Sequence, residues 1–582
     1  MSWFKHLIWE HKYAVIVAIL VSLMVAAPQI AFRYEHRDDG VYQGIELLPD
    51  SPWSSRVREV MDGHPNFGSI YYTDGKGDPY LFQPGGSMTV AYMGDAFGLD
   101  INNTLLLARF VLTFIAFLLI YAFIVLLSRD KLAALAGTSV LLLADAVMNL
   151  SGVKNLVQGI SPANFLSIGL PVDPAMFFIP LFAFLIAFWL FYTRRDWRWG
   201  IASAVLLGFS FYNYFYSWTY LYAFGGFLVL LFLLKKDWRE AARVCSVFAG
   251  ALLMAIPYGI NIYRAAQYPT YAEVGERFGI VATHAPLFIG FVALGALMVF
   301  LLWFPRGDKQ KYLFWLALLL APIATLNQQI LTGKEMQAAH YHWYFHKPIA
   351  VLLVIVLIFY LCGRLKTAWC RQALAILMVA GSFAIGVFIQ ADSYLNNRGN
   401  YGGTVAVEQQ RYGPVMEWLN HNAAKEEVVL SNNPISYLVT IYTPLNVFYH
   451  RAALHSLSAT RERLLDGTFT FYRLRGVGAA DAQKVFFTER GSVSSSIYGI
   501  YYRQLSGSYE AIPDEALNNI VALYEATLAT STLEWLREKM TQYEVNYVVW
   551  DKKADPSWQL QKYSFLKEAA VLGDIVIYRF AP

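Results

Sequence analysis

Tyr13-Ala-Val-Ile-Val-Ala-Ile-Leu-Val-Ser-Leu-Met-Val-Ala-Ala-Pro-Gln-Ile-Ala31, followed by Phe32-Arg-Tyr-Glu-His-Arg-Asp-Asp-Gly40, is the stretch that decides the fold. About 19 residues at ~1.5 Å each are enough to cross a hydrocarbon core of roughly 30 Å. The run follows a short basic lead, Lys5 and Lys12. Ala26 and Ala27 resemble a signal-cleavage site, but the run is longer than the apolar region of a signal peptide, and the charged octapeptide behind it reads as functional rather than as spacer. The expectation is an uncleaved first membrane span that delivers an ionisable cluster to one surface of the bilayer.

The same pattern recurs along the chain. Apolar runs at about 104–127, 132–149, 174–192, 199–214, 217–234, 241–262, 285–304, 313–330, 348–362 and 371–390 bring the expected number of spans to roughly eleven. Between 199–214 and 217–234, Phe211-Tyr-Asn-Tyr-Phe-Tyr-Ser-Trp218 reads as an aromatic hairpin turn at the interface. Composition agrees: of 582 residues 57% are hydrophobic and 15% charged, with a mean hydropathy of +0.39, which excludes a purely soluble enzyme. The net charge of +4 is spread over loops and leaves no nucleic-acid footprint.

Lys and Arg set the expected orientation. The short loops at 128–131, 193–198, 235–243, 305–311 and 363–371 hold about 15 basic residues in roughly 38 positions, against about 5 in roughly 64 for the opposite set. The basic set is read as cytoplasmic, in a cell inner (cytoplasmic) membrane. The N-terminus is then inside, and the 32–103 loop and everything after about 391 are extracytoplasmic. Cys245, Cys362 and Cys370 all lie beside basic loops, so the tail must fold without disulfides, which about 190 residues can do.

The expected fold class is an α-helical multi-pass membrane domain, 1–390, followed by a small extracytoplasmic α/β domain, 391–582. Helix-length amphipathic stretches, Val405–Ala423 and Glu515–Tyr543, alternate there with β-rich runs at 427–431, 545–550 and 574–580. Asn396 to Gly403 reads as a connector, and Asp173-Pro174 as the cap of the next span.

Several constellations carry candidate chemistry. Asp38 and Asp39 are adjacent carboxylates with Arg37 beside them, and Tyr42 and Glu46 would continue the Asp38 face at helical spacing. Asp74 and Asp78 flank Lys76 in a turn of the same loop. In Gln328 to Lys347, three histidines fall within seven positions. If that segment is helical, Glu335, His342 and His346 share one face and form a candidate set for a divalent metal, while His340 points elsewhere. Interfacial anchoring, and phosphate or sugar binding through Lys334, His340 and the aromatic run, are equally open. Asp145, an acid inside an apolar run, pairs with Arg109 or Lys154 or lines an active-site wall. No phosphate loop, dinucleotide motif, zinc-protease motif or nucleophile elbow accompanies them.

With these residues in place, the order of parts resembles the GT-C superfamily of membrane glycosyltransferases, which take sugar from a polyprenyl-phosphate carrier. The shared features are one span, the Asp38-Asp39 pair at its outer end, a large first outer loop, about ten more spans and an extracytoplasmic tail. The resemblance implies that Asp39 or Asp38 acts as base on the acceptor hydroxyl. The tail lacks a Trp-Trp-Asp motif, so the similarity is to bacterial and archaeal members with single-sugar lipid donors rather than to the oligosaccharyltransferase branch. The chemistry also asks for positive charge near the departing phosphate, for which Lys334, His340 and Arg277 are the candidates. The expected partners are the lipid-linked donor, the bilayer and an extracytoplasmic lipid, glycan or protein acceptor, with no nucleic acid. Competing readings are a secondary transporter and a non-catalytic envelope binding protein. The near absence of ionisable groups inside the spans argues against transport.

Overall fold

The computed structural model describes residues 9–47, 52–170, 172, 175–287, 290–364, 368–396, 402–499 and 512–581. Asp173-Pro174, Lys5 and most of the expected connector after Asn396 lie outside them.

Among the described residues, seven helices are long and apolar enough to cross a membrane: Lys12–Asp38, Ile101–Ser128, Ala175–Arg194, Phe215–Leu234, Lys309–Thr332, Ala338–Arg364 and Trp369–Leu395. A further pair, Trp238–Met254 and Ile256–Ala265, bends by 52° and raises the number to eight if counted as one span. The remaining expected runs are helical but short, with 13 residues in Lys131–Leu143, 17 in Trp197–Asn213 and 13 in Phe291–Trp303. At ~1.5 Å per residue they fall below a full ~30 Å crossing. Among the described residues, length and composition thus give seven or eight spans where about eleven were expected, because apolar composition alone does not reveal where a helix breaks.

The acids of the basic loops have a structural use. Asp130, Asp196, Asp237 and Asp308 each N-cap the following helix, accepting a backbone N–H in its first turn. In three of these turns the basic residue before the cap, Arg129, Arg195 or Lys236, is left-handed, with φ of 58°, 58° and 59°. One tight turn is therefore used three times to join antiparallel neighbours. The aromatic hairpin forms as expected, with Tyr214 extended between two helices and Asn213 Nδ2 donating to Met176 O at 2.8 Å. The helix Ala175–Arg194 is buried along nearly its whole length, packing Phe184, Phe188 and Trp189 against Phe224, Phe248 and Phe314. The three cysteines are free.

Beyond Gly403 the chain builds a five-stranded mixed sheet in the spatial order Asn446–Val447, Val428–Ser431, Val545–Asp551, Ile575–Phe580, Leu566–Leu572. The strands are β3 (Val428–Ser431), β4 (Asn446–Val447), β5 (Val545–Asp551), β6 (Leu566–Leu572) and β7 (Ile575–Phe580). β3 lies parallel to β4 and β5, and β7 is antiparallel to β5 and β6. Alternate residues of β3 and β5 serve two cores. Val429, Tyr547 and Val549 join the core shared with the membrane helices, whereas Val428, Leu430, Val548 and Trp550 face the Phe469, Tyr524 and Trp535 side. The two expected long helices are both interrupted. Val405–Ala423 breaks at a 3-10 turn, Gln410–Tyr412, and Glu515–Tyr543 becomes Asp514–Thr527 and Thr532–Gln542. The second break is set by a capping box in which Ser531 and Glu534 satisfy each other's backbone N–H.

Candidate functional site

The first helix ends at Asp38, and Asp39 is its C-cap. The Asp39 carboxylate is oriented at both oxygens, accepting Val41 N–H at 2.9 Å and facing His36 Nδ1 at 3.0 Å. The Val41 N–H and then His36 hold Asp39 below the usual carboxylate range. His36 is itself placed by an edge contact on Phe32, which is fully buried. Arg37 and Asp38 are exposed beside it. The arrangement is an ionised, solvent-facing carboxylate with a fixed direction.

Helical spacing does not continue to Tyr42 and Glu46. The chain leaves the helix and runs without regular structure through 41–47, where Tyr42 OH and Arg33 Nε both donate to Glu46 Oε1. Glu46 is 6% exposed, and burial raises its carboxyl despite Arg33. Arg33 also reaches Asn103 Oδ1 at 2.8 Å, and Asn102 Nδ2 donates to Gly44 O at 2.9 Å. From the other side, Gln410 Oε1 accepts the N–H of Gln43 at 2.7 Å and of Ile45 at 3.3 Å, while Tyr442 OH accepts that of Glu46 at 3.0 Å. The segment is thus a strap clamped between two membrane helices and the C-terminal domain, and it fixes where Asp38 and Asp39 stand. Arg33 and Glu46 were legible as charges near a span. Gln410 and Tyr442, 365 and 396 residues from the Ile45 and Glu46 amides they bind, carried no local signal.

A second group gathers where the first loop meets the C-terminal domain. Asp74 pairs with Arg463, Asp78 accepts from Tyr268 OH at 2.8 Å, and Lys76 pairs with Glu59 at 2.6 Å. Arg277 is 1% exposed, with Nη1 on Ala459 O at 2.6 Å and Nη2 on Glu273 at 3.0 Å. These residues staple the loop 73–79 and the helix Tyr271–Arg277 to residues 454–463. Arg277 is buried in that joint rather than displayed toward a ligand.

The third group does not form one helix. Lys334 and Glu335 make β2, antiparallel to β1 (Val281–Ala282); His340 lies in the short helix Ala338–Tyr341; His342 to His346 form a π-helical turn. Glu335, His342 and His346 therefore do not share a helical face, and among the described residues no group of three or more His, Cys, Asp or Glu is placed to hold a metal. His346 is buried against Thr325 Oγ1 at 3.0 Å. His340 stacks on Tyr216 at 4.7 Å, bonds Tyr214 OH and stands among Tyr344 and the Phe177 ring stacked on Tyr214. Lys334 is exposed at the end of β1–β2. The second and third groups adjoin, since Gln337 Nε2 donates to Phe278 O at 2.6 Å and Phe278 stacks on His455. Asp145 pairs with Lys347 rather than with Arg109 or Lys154.

A buried histidine makes the joint between loop and C-terminal domain the expected point of acid sensitivity. His450 is fully buried, stacked on Tyr71 at 4.0 Å, with Nδ1 accepting Ala452 N–H at 3.0 Å, and burial lowers its pKa to about 3. The folded chain thus binds this proton less readily than the unfolded one. The stability so gained is complete above ~6.5 and declines by up to ~1.4 kcal/mol per pH unit below it, down to the folded value. The unfolding temperature should fall between pH 6.5 and 4.5, and His450→Gln should make that slope shallower. An equal slope in the variant would assign the acid sensitivity elsewhere.

No protein-family model matches the chain, and no curated protein is significantly similar to it.

Proposed function

We propose that the chain is an integral-membrane glycosyltransferase of the GT-C type, moving a sugar from a polyprenyl-phosphate carrier to an extracytoplasmic acceptor. The observation that carries the reading is the Asp39 carboxylate, ionised, exposed and aimed by His36 and Val41 at the end of the first span. In the reaction an acceptor hydroxyl attacks the anomeric carbon, Asp39 takes the hydroxyl proton, and the bond from that carbon to the phosphate oxygen breaks, leaving polyprenyl phosphate. Asp38 assists at the same helix end. The aromatic wall around His340 offers stacking surfaces for a sugar, and the C-terminal domain, joined to the strap through Gln410 and Tyr442, shapes the acceptor side.

The test is turnover of radiolabelled polyprenyl-phosphate sugars by the purified protein in nanodiscs. Release of the sugar to an acceptor or to water is expected. A folded protein that turns over no donor in a panel of hexosyl and pentosyl carriers, supplied with membrane lipid, glycan and peptide acceptors, would overturn the reading in favour of transport or binding.

A further inference from the structure

Lys347 follows the π-helical turn His342–His346 and is 2% exposed. Its ammonium has three donors, yet makes no hydrogen bond among the described residues. Asp145 Oδ2 stands 3.9 Å away, beyond hydrogen-bond reach, and the Trp343 ring lies 4.4 Å from Nζ. A buried ammonium in this state is costly unless an acceptor completes its shell.

Asp145 is the outward-facing member of the pair. It lies where the helix Lys131–Leu143 breaks into the 3-10 turn Asp145–Met148, and its side chain is 37% exposed against 2% for Lys347. Beside the break runs the helix Leu150–Val157. It lies close because residue 152 is glycine, where a Cβ would stand 2.1 Å from Ala146 O. Its Leu150, Val153 and Val157 are 92%, 40% and 83% exposed and recur at helical spacing, with Ser151 and Lys154 between them. A half-open carboxylate covering an unsatisfied ammonium, bordered by an exposed apolar stripe, matches a ligand with an anionic head and a hydrocarbon tail.

We propose that Lys347 and Asp145 form a gated anion site for the phosphate of a polyprenyl-phosphate lipid. The ammonium takes the phosphate oxygens, Asp145 turns outward as they enter, and the Leu150–Val157 stripe seats the chain. This deepens the transferase reading and rests on it for the choice of a polyprenyl carrier. Lys347 then takes the part that sequence alone gave to Arg277, Lys334 and His340.

The gate gives opposite signs to its two members. Binding of tritiated undecaprenyl phosphate to the full chain in phosphatidylcholine nanodiscs, without acceptor, should weaken at least tenfold in Lys347→Met. It should survive in Lys347→Arg and tighten several-fold in Asp145→Asn, where the competing carboxylate is gone. Inorganic phosphate and phosphatidic acid, run as competitors, distinguish a free phosphate and an ordinary phospholipid from the polyprenyl carrier, and neither should displace the label. Wild-type binding in folded Lys347→Met, weaker binding in Asp145→Asn, displacement by either competitor, or no binding in the wild type would overturn the proposal. Should Lys347→Met fail to fold, the Lys347→Arg and Asp145→Asn signs decide it. Lysine-dependent binding without sugar transfer would overturn the transferase reading and leave the lipid-phosphate site standing.

Discussion

Asp39→Asn should lower sugar transfer by on the order of 10²–10⁴-fold, the range a positioned general base contributes, while leaving the unfolding temperature within a degree or two. The amide keeps the shape of the side chain and can still accept the Val41 N–H, but it cannot take the acceptor's proton. Asp39 is exposed, so its loss removes no buried contact. Asp38→Asn should have a smaller effect, because its side chain is not aimed as Asp39 is by His36 and Val41. The measurement is initial transfer rate against pH with thermal unfolding alongside. Equal activity of Asp39→Asn and wild type would remove Asp39 from the base's place.

Gly413→Ala should be the most damaging small substitution in the C-terminal domain. A Cβ at Gly413 would stand 2.1 Å from Gln43 O and 2.5 Å from Gln43 Cβ, so either the helix Gly413–Asn422 or the 43–45 strap must move. Overpacking of this kind costs typically ~1–3 kcal/mol, and a displaced strap also re-aims the end of the first helix. Both the unfolding temperature and the transfer rate are expected to fall. Gly491→Ala is the control of opposite sign. It lies in the helix Arg490–Ile497 with nothing within 4 Å of its would-be Cβ, so removing a helical glycine should stabilise by roughly 0.5–1 kcal/mol. If Gly413→Ala matched Gly491→Ala, the strap would not be the tight joint described.

How much of this was legible depended on the range of the interactions involved. Apolar runs and the Lys/Arg bias mark each membrane helix because bilayer solvation acts on every residue locally. The same signal overcounts full spans, since it cannot see that Lys131–Leu143 stops at Ala144 or that Trp238–Ala265 bends at Ala255. The strands β3, β5 and β7 were visible as β-rich runs. The two-residue β4, and β6 with its charged Lys567 and Glu568, were not, because partners rather than composition hold them. Ser531-Thr-Leu-Glu534 was a readable capping box inside what looked like one long helix. The place of Asp38 and Asp39 at the end of the first span was legible, since the apolar run stops just before them. The helical face through Tyr42 and Glu46 was a wrong extrapolation of period, since the chain turns at Gly40, whose φ is +74°. Arg277 looked like a spare cation because sequence cannot show that Ala459 O and Glu273 already occupy it.

The proposed function requires that this membrane protein break a sugar–phosphate bond rather than move an intact lipid or solute across the bilayer. The most direct measurement follows the chemical fate of a doubly labelled polyprenyl-phosphate sugar in sealed proteoliposomes, with wild type beside the Asp38→Asn, Asp39→Asn double variant. In the wild type the two labels should separate, with the sugar on acceptor or water and the polyprenyl phosphate in the membrane, and in the variant they should stay together. Intact donor accumulating in the opposite leaflet with both labels joined, or label separation that persists in the folded double variant, would contradict it.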